Sequence, residues 1–568
     1  MLVLFVSTVT IGVATYWAVT TYRTFQRNRQ AAIASGLPYI CLPVNTFSPS
    51  WQVLGPAVVP VCRMLPFGLG AWADDARPAW ILKHELHRKY GPVFMIVSPW
   101  SNVVHVVDPD VLLDVVARRT EFPKPSEFYK IVEVYGRNVV TTDGSEWVRY
   151  RKITGPPFSE KNNHLVWTSA LEQVSQLIAG MTSLSPSPKT SSNSTGWVLS
   201  HLQRDMKTIA LHVISAAAFG VHLPFLAADA GSQVPDSVWT HQEFDDFGPK
   251  PAPGHALTFA QSIHTLLRYL IPVMVIPKAL LRAVPIPAWR SAYAAYSEFR
   301  DYILLLAQRS KGITQASSEH ENLLRALVSR NSDEAVGDRL SDDEVLAHMF
   351  VFVLAGHETT ANALSYAIIN LALQQDAQAW FLEQLDEQLA ACNAGPVQDW
   401  DYSAIFGNLP AVICLMNETL RLYPTVAGVP KWSADASVAL HWDGRKCVVP
   451  PKTPIVFNTI ALHRSPALWG EDVSQFRPQR WMEKQPRKGQ FMAFSEGARA
   501  CLGKKFAQVE FVAVITALFA RYRVEIDCGP RESPAAARKH ATAVLDSSVV
   551  LATLGMNREI PVRFVERK

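Results

Sequence analysis

Phe494-Ser495-Glu496-Gly497-Ala498-Arg499-Ala500-Cys501-Leu502-Gly503 is the stretch whose residue types could do metal chemistry. A lone cysteine sits in a tight turn with glycines on either side and one arginine. A helix-compatible apolar run follows, from Lys504 to Tyr522. That order suits a thiolate ligand to a haem iron, because a helix N-terminus favours the negative sulfur. Gly497 and Gly503 would let the backbone approach a flat macrocycle that a Cβ would obstruct. Arg499 would pair with a propionate through a forked contact. Phe494 would shield the sulfur from water.

A second set of chemical groups lies in Ala355-Gly356-His357-Glu358-Thr359-Thr360. It falls in the middle of Asp342 to Gln374, which reads as one helix about 50 Å long. The helix is apolar nearly all round, so it should be buried. A central carboxylate is disfavoured in lipid, so burial in protein is preferred to a membrane span. Glycine and a carboxylate inside such a helix are costly. Taken alone the motif would be a kink with back-bonded hydroxyls; beside a thiolate-bound haem it suits proton delivery.

Two further pairs share helix faces. Glu418 and Arg421 lie three apart, ahead of a stop at Leu422-Tyr423-Pro424. Trp147 and Arg151 lie four apart and would both reach one propionate. Each pair alone is weak, since such ion pairs are common on surfaces.

The pattern F-x-x-G-x-R-x-C-x-G at 494–503 resembles the haem-binding signature of the cytochrome P450 superfamily. The other motifs occur in that family's order, and the chain is similar to it from about Pro38 onward, most of all to microsomal fungal members. The resemblance implies a mainly α fold with small β-sheets, the cytochrome P450 fold, behind an N-terminal transmembrane helix. It implies haem b with Cys501 as the axial ligand. It assigns proton delivery to Thr359 and Glu358, and cofactor binding to Arg499, Trp147, Arg151, Phe494, Gly497 and Gly503. Glu418, Arg421 and Arg480 would form a buried structural triad; Gln479 departs from the acidic residue usual beside it. His357 is not carried over, because its position varies. The implied activity is oxidation of a lipophilic small molecule with O2, in secondary metabolism. Electrons would come from NADPH through a separate reductase, since the chain carries no flavin or dinucleotide motif. Lys504 and Lys505 would help dock that partner. Two rivals remain open at this point: a same-fold peroxide isomerase or dehydratase, and a non-catalytic haem sensor or carrier. Substrate contacts are expected after Pro123, at Phe352 and Ala355, and at Val426 to Val429.

The elements that must position these groups can be read more coarsely. Residues 1–22 read as a membrane anchor: Leu2 to Tyr22 carry no charge, and Arg23, Arg27 and Arg29 follow. The positive-inside rule then places the catalytic body in the cytosol, on the endoplasmic reticulum membrane. Residues 23–45 read as a basic, proline-containing hinge, and 46–568 as a single domain. Ala76 to Tyr90 reads as an amphipathic helix. Val93–Val97 and Asn102–Val107 read as paired strands, and Asp443-Gly444 as a hairpin turn. Leu266 to Trp289 is apolar but broken by Pro272, Pro277, Pro285 and Pro287. By resemblance it is a lid that dips into lipid, with Arg268, Lys278, Arg282 and Arg290 at the head groups. Ser183 to Thr195 reads as a surface loop. Seven scattered cysteines argue against a disulfide framework. A net charge of +4 is too small at this length to argue for nucleic acid.

Overall fold

A computed structural model describes residues 2–46, 48–64, 69–184, 196–225, 250–311, 322–333, 338–529, 532–550 and 552–567. Nearly all of the expected Ser183–Thr195 loop lies outside these residues. The fold is mostly helical, with four small sheets among the described residues. The helices used below are α1 (Leu2–Ser35), α2 (Gly144–Thr154), α3 (Glu160–Leu184), α4 (Leu202–Phe219), α5 (Phe259–Arg268), α6 (Asp342–Leu373), α7 (Pro410–Leu422) and α8 (Lys504–Phe519).

Helix α6 is the axis of the core. Ser341 caps it and accepts from the Glu344 N–H, while Glu344 reaches back to the Ser341 N–H. Asp342, Asp343 and Glu344 fill its first turn, where carboxylates meet the positive end of the helix dipole. Its side chains are buried from Val345 to Val353 and from Thr360 to Leu373. Helices α4 and α8 pack against it, and α3 packs against both of those.

The main sheet has strands β1 (Tyr39–Cys41), β2 (Val93–Val97), β3 (Asn102–Val106), β4 (Gly428–Trp432) and β7 (Pro454–Asn458). Their order is β1-β2-β3-β7-β4, with β2 antiparallel to β3 as its sequence pattern required. Strands β5 (Val438–Trp442) and β6 (Arg445–Val449) form the expected hairpin. Asp443 and Gly444 both take positive φ, 51° and 67°, as a two-residue turn of this kind demands.

Several expectations need correction. Ala76–Tyr90 is not one helix but two short ones, Ala79–Leu82 and Glu85–Tyr90, split where Lys83 adopts φ 50°. The segment 23–45, expected as a hinge, is helical to Ser35 and then supplies β1, which pairs with β2. Asn28 pins α1 to the β2–β3 turn, donating to the Ser98 carbonyl and accepting from Asn102 Nδ2, each at 2.9 Å. No helix among the described residues is long and apolar enough to cross a membrane. That holds for α1, where Ser7, Thr8, Thr10, Thr15, Thr20 and Thr21 dilute the apolar run. Val9, Ile11, Val13, Tyr16, Trp17 and Tyr22 of α1 are nonetheless exposed. The proline-broken stretch forms two short helices, Leu270–Val275 and Lys278–Ala283, with Ile271, Val275 and Leu280 exposed. Of its basic residues, Lys278 folds back onto the Val273 carbonyl and over the Tyr296 ring, while Arg268, Arg282 and Arg290 face outward.

Candidate active site

The cysteine loop is built by its own backbone. The Cys501 N–H donates to the Phe494 carbonyl at 2.9 Å, closing the turn ahead of α8. Gly497 takes φ 71°, and a Cβ there would fall 2.5 Å from Val116 Cγ1. Its glycine is thus required by backbone conformation and by contact with Val116, a cause the sequence did not expose. Among the described residues a Cβ at Gly503 would meet only Phe158 Cε1, at 3.8 Å, so none of them demands glycine there. Protein encloses Cys501 on most sides and burial pushes its thiol up, yet the residue remains accessible. The Gly503 N–H and the charges of Arg151 and Lys504 act the other way, favouring thiolate. A metal cation would complete that deprotonation.

Cations gather beside the loop. Arg499 donates to Asp143 at 2.5 Å and to the Thr142 carbonyl at 3.0 Å. Its guanidinium lies 4.2 Å from the Trp147 ring centre, with Arg119 also over that ring at 5.0 Å. Asp143 caps α2 and accepts from the Gly144 and Lys124 N–H groups. Burial alone would raise the Asp143 carboxyl, but the Lys124 N–H and the Arg499 charge outweigh it and hold the carboxyl below its ordinary range. Burial, with the Arg499 charge, pushes Lys124 down to about 7 and Lys431 down to about 8. Arg151 also feels both Arg499 and Cys501.

Haem fits this arrangement. Lys124, Lys431, Arg499, Arg119 and Arg151 act on one neighbourhood whose carboxylate is Asp143. Among the described residues the buried Arg499 Nε has no partner. An excess of partly desolvated cations and an orphaned N–H call for anions, which two propionates would supply. Lys124 and Lys431 escaped the sequence reading. The available signals were a lysine between two prolines, Pro123-Lys124-Pro125, and a lysine in the otherwise uncharged strand β4.

On the long helix the burial pattern breaks at the second motif. Ala355 is exposed, and Leu354, Gly356, Glu358 and Thr359 are half-buried within an otherwise buried element. Gly356 also lets α4 approach, since a Cβ would fall 2.6 Å from Ile214 Cδ1. Thr359 Oγ1 donates to the Ala355 carbonyl at 2.7 Å. Glu358 Oε1 accepts from Lys207 Nζ at 3.2 Å. Phe158 links this helix to α8, which follows the cysteine loop, with its ring 5.1 Å from that of Phe352 and 6.5 Å from that of Phe506. Among the other expected lining residues, Phe352 is buried and Val426 exposed; Phe128 and Ile131, after Pro123, are exposed.

Glu418, Arg421 and Arg480 meet as one buried network. Arg421 donates through Nε and Nη2 to the two Glu418 oxygens, at 2.8 and 2.9 Å. Arg480 Nε and Trp481 Nε1 each donate to the same carboxylate at 3.0 Å. Arg421 also donates to the His463, Val473 and Gln475 carbonyls, tying α7 to the segment ahead of the cysteine loop.

The comparisons with known proteins agree with this geometry. The cytochrome P450 family model matches residues 61–545. A cytochrome P450 monooxygenase of Arthrobotrys oligospora is 29% identical, over 98% of both chains. One of Postia placenta is 31% identical, over 79% of this chain and 81% of its own. The crystal structure of a cytochrome P450 superposes with a TM-score of 0.61 at 19% identity, covering 85% of this chain and 93% of that one. The chain belongs to the cytochrome P450 family. It is thereby a haem-thiolate oxidoreductase of the monooxygenase class, in which a cysteine ligates the haem iron.

Proposed function

We propose that this enzyme oxidises a lipophilic small molecule in secondary metabolism, with Cys501 as the iron ligand and electrons drawn from NADPH through a separate reductase. The cluster of partly desolvated cations around Arg499, beside an enclosed but accessible Cys501, carries the reading. When bound, haem supplies the iron at which dioxygen is activated for insertion of one oxygen atom into the substrate. The protein would hold it through Cys501, with Arg499, Trp147, Arg151, Lys124 and Lys431 around the propionates and Phe494, Gly497 and Gly503 shaping the loop. Glu418, Arg421 and Arg480 lock the segment behind that loop. Glu358 and the Thr359 hydroxyl hold and pass protons on the long-helix side, and Ala355 leaves space for the small gaseous substrate. Phe352, Val426, Phe128 and Ile131 supply an apolar lining, which favours a lipophilic substrate.

The same reading places the enzyme on the endoplasmic reticulum membrane with its body in the cytosol. The exposed apolar residues of α1 and of 270–286, with Arg268, Arg282 and Arg290 beside the latter, support attachment at a lipid surface. Lys504 and Lys505, both exposed at the start of α8, would meet an acidic reductase.

The deciding experiment is Cys501→Ser. The variant should lose the red-shifted Soret band of the reduced carbonyl complex. Retention of that band would overturn the ligand assignment.

A further inference from the structure

Helix α6 carries a histidine, His348, for which the proposed chemistry has no use. It is fully buried, about three turns ahead of Thr359. Its two ring nitrogens have separate duties. Nδ1 lies 2.6 Å from the Glu344 carbonyl, one turn back on α6, and a carbonyl can only accept, so Nδ1 donates there. Nε2 therefore keeps its lone pair and accepts the Val139 N–H at 3.1 Å. Burial pushes the ring down to about 4, so that the acceptor persists near pH 7. The Tyr150 ring of α2 stands edge to face with it, centres 4.6 Å apart, and the Tyr150 hydroxyl donates to Glu344 Oε1 at 2.6 Å. The imidazole is fixed in both place and tautomer.

Val139 belongs to a turn, residues 138–143, tied together around Asn138. The Asn138 carbonyl accepts from the Thr141 and Thr142 N–H groups at 3.0 and 3.2 Å, and from Thr142 Oγ1 at 2.9 Å. The Asn138 N–H donates to Thr141 Oγ1, and its side-chain oxygen accepts the Val140 N–H, each at 3.0 Å. Asn138, Thr141 and Thr142 are buried. The turn's remaining acceptors serve two of the cations already described. The Thr142 carbonyl accepts from Arg499 Nη2 at 3.0 Å. Asp143 accepts from the same guanidinium at 2.5 Å and from the Lys124 N–H at 2.6 Å. The Val140 carbonyl accepts from Lys124 Nζ. An unbroken run of hydrogen bonds and backbone thus joins His348 to Val139, Val139 to the Asn138 turn, and the turn to Arg499 and Lys124.

We propose that His348 is a positioning residue for haem retention: by accepting the Val139 N–H it fixes the 138–143 turn, and the turn fixes Arg499 and Lys124 for the propionates. The proposal rests on the assignment of Arg499 and Lys124 to the propionates. Without an acceptor at Nε2, the N–H of the buried Val139 is left unpaired, and the turn shifts to satisfy it elsewhere. The carbonyls and the carboxylate that hold Arg499 and Lys124 shift with it. Cations that are no longer held in place stabilise propionates less. Weaker positive charge near the haem also disfavours its reduced form.

Asparagine and glutamine separate the two nitrogens, because an Asn amide stands in for Nδ1 and a Gln amide for Nε2. In the full-length haem-loaded enzyme, His348→Asn should speed haem transfer to apomyoglobin severalfold and lower the haem reduction potential. His348→Gln should keep both close to the wild type. A histidine that only fills space would not distinguish the two, so equal effects of Asn and Gln, or no effect of Asn, would overturn the proposal. Arg499→Gln should itself speed haem transfer, and adding His348→Asn to it should change little more, since both act through one clamp. Fully additive effects would overturn the proposal. Coupling between two sites is reciprocal. The Val139 amide of haem-loaded Arg499→Gln should therefore exchange with deuterium severalfold faster than that of the wild type. Unchanged protection there would overturn the proposal even where His348→Asn does not fold. If Arg499→Gln leaves haem transfer unaltered, the propionate assignment itself falls, and the proposal with it.

Discussion

Arg421 grips Glu418 with two parallel hydrogen bonds, at 2.8 and 2.9 Å, and both side chains are wholly shielded from solvent. Such a pair is worth less than it costs to break. Removing one partner leaves a desolvated charge, typically at a cost of about 3–5 kcal/mol. Arg421→Ala should therefore give little folded protein, or protein without haem, because the three carbonyls that Arg421 binds also lose their donor. Thermal unfolding and haem content of the purified variant check this. Arg421→Lys should rescue only in part, since a point charge cannot reproduce the fork.

Lys124 and Lys431 should govern haem retention. Both are depressed by burial and by the Arg499 charge, to about 7 and about 8, so both hold their protons only reluctantly. Bound propionates would restore their charge, and proton uptake would then accompany haem binding. The sign follows: haem affinity should fall as pH rises from 6 toward 9. Lys124→Met and Lys431→Met should each speed haem transfer to apomyoglobin severalfold and flatten that dependence. Transfer rates followed by the Soret band over this pH range decide the matter.

Thr359→Ala should separate electron consumption from product. The hydroxyl now donates to the Ala355 carbonyl, on the half-buried stretch of α6. Its loss leaves the cysteine loop untouched, so haem content and the carbonyl spectrum should stay normal. NADPH should still be consumed, with much of it emerging as hydrogen peroxide. Positioned proton donors are worth about 10²–10⁴-fold, so product formed per NADPH should drop sharply. Unchanged coupling across several substrates would reduce Thr359 to a packing residue.

Acid should weaken the packing around the main sheet. Burial pushes His87 down to about 3 and His105 down to about 4. Both ring nitrogens of His105 are buried without a partner among the described residues, and the ring stacks on Phe94 at 5.5 Å. These folded values lie below the unfolded one, so the unfolded chain takes up protons first. Stability is intact above about 6.5 and is lost as pH falls from there toward 4. His105 alone would contribute on the order of 3 kcal/mol to that loss. His105→Phe keeps the stack and removes the titration. Its melting temperature should fall less steeply than that of the wild type between pH 6.5 and 4.

The sequence by itself determined what depends on neighbours three or four residues away. The Asp443-Gly444 turn and the Glu418–Arg421 face follow from local geometry, and so were legible. The cysteine turn was legible for the same reason. Tertiary structure decided the rest. Lys124, Lys431 and Arg499 belong to three distant segments, and only packing brings their charges into one poorly solvated space. The need for glycine at 497 came from Val116, and the break at Lys83 from a backbone conformation that propensity does not encode. Local patterns set backbone shape, whereas burial and charge are sums over everything the fold draws near.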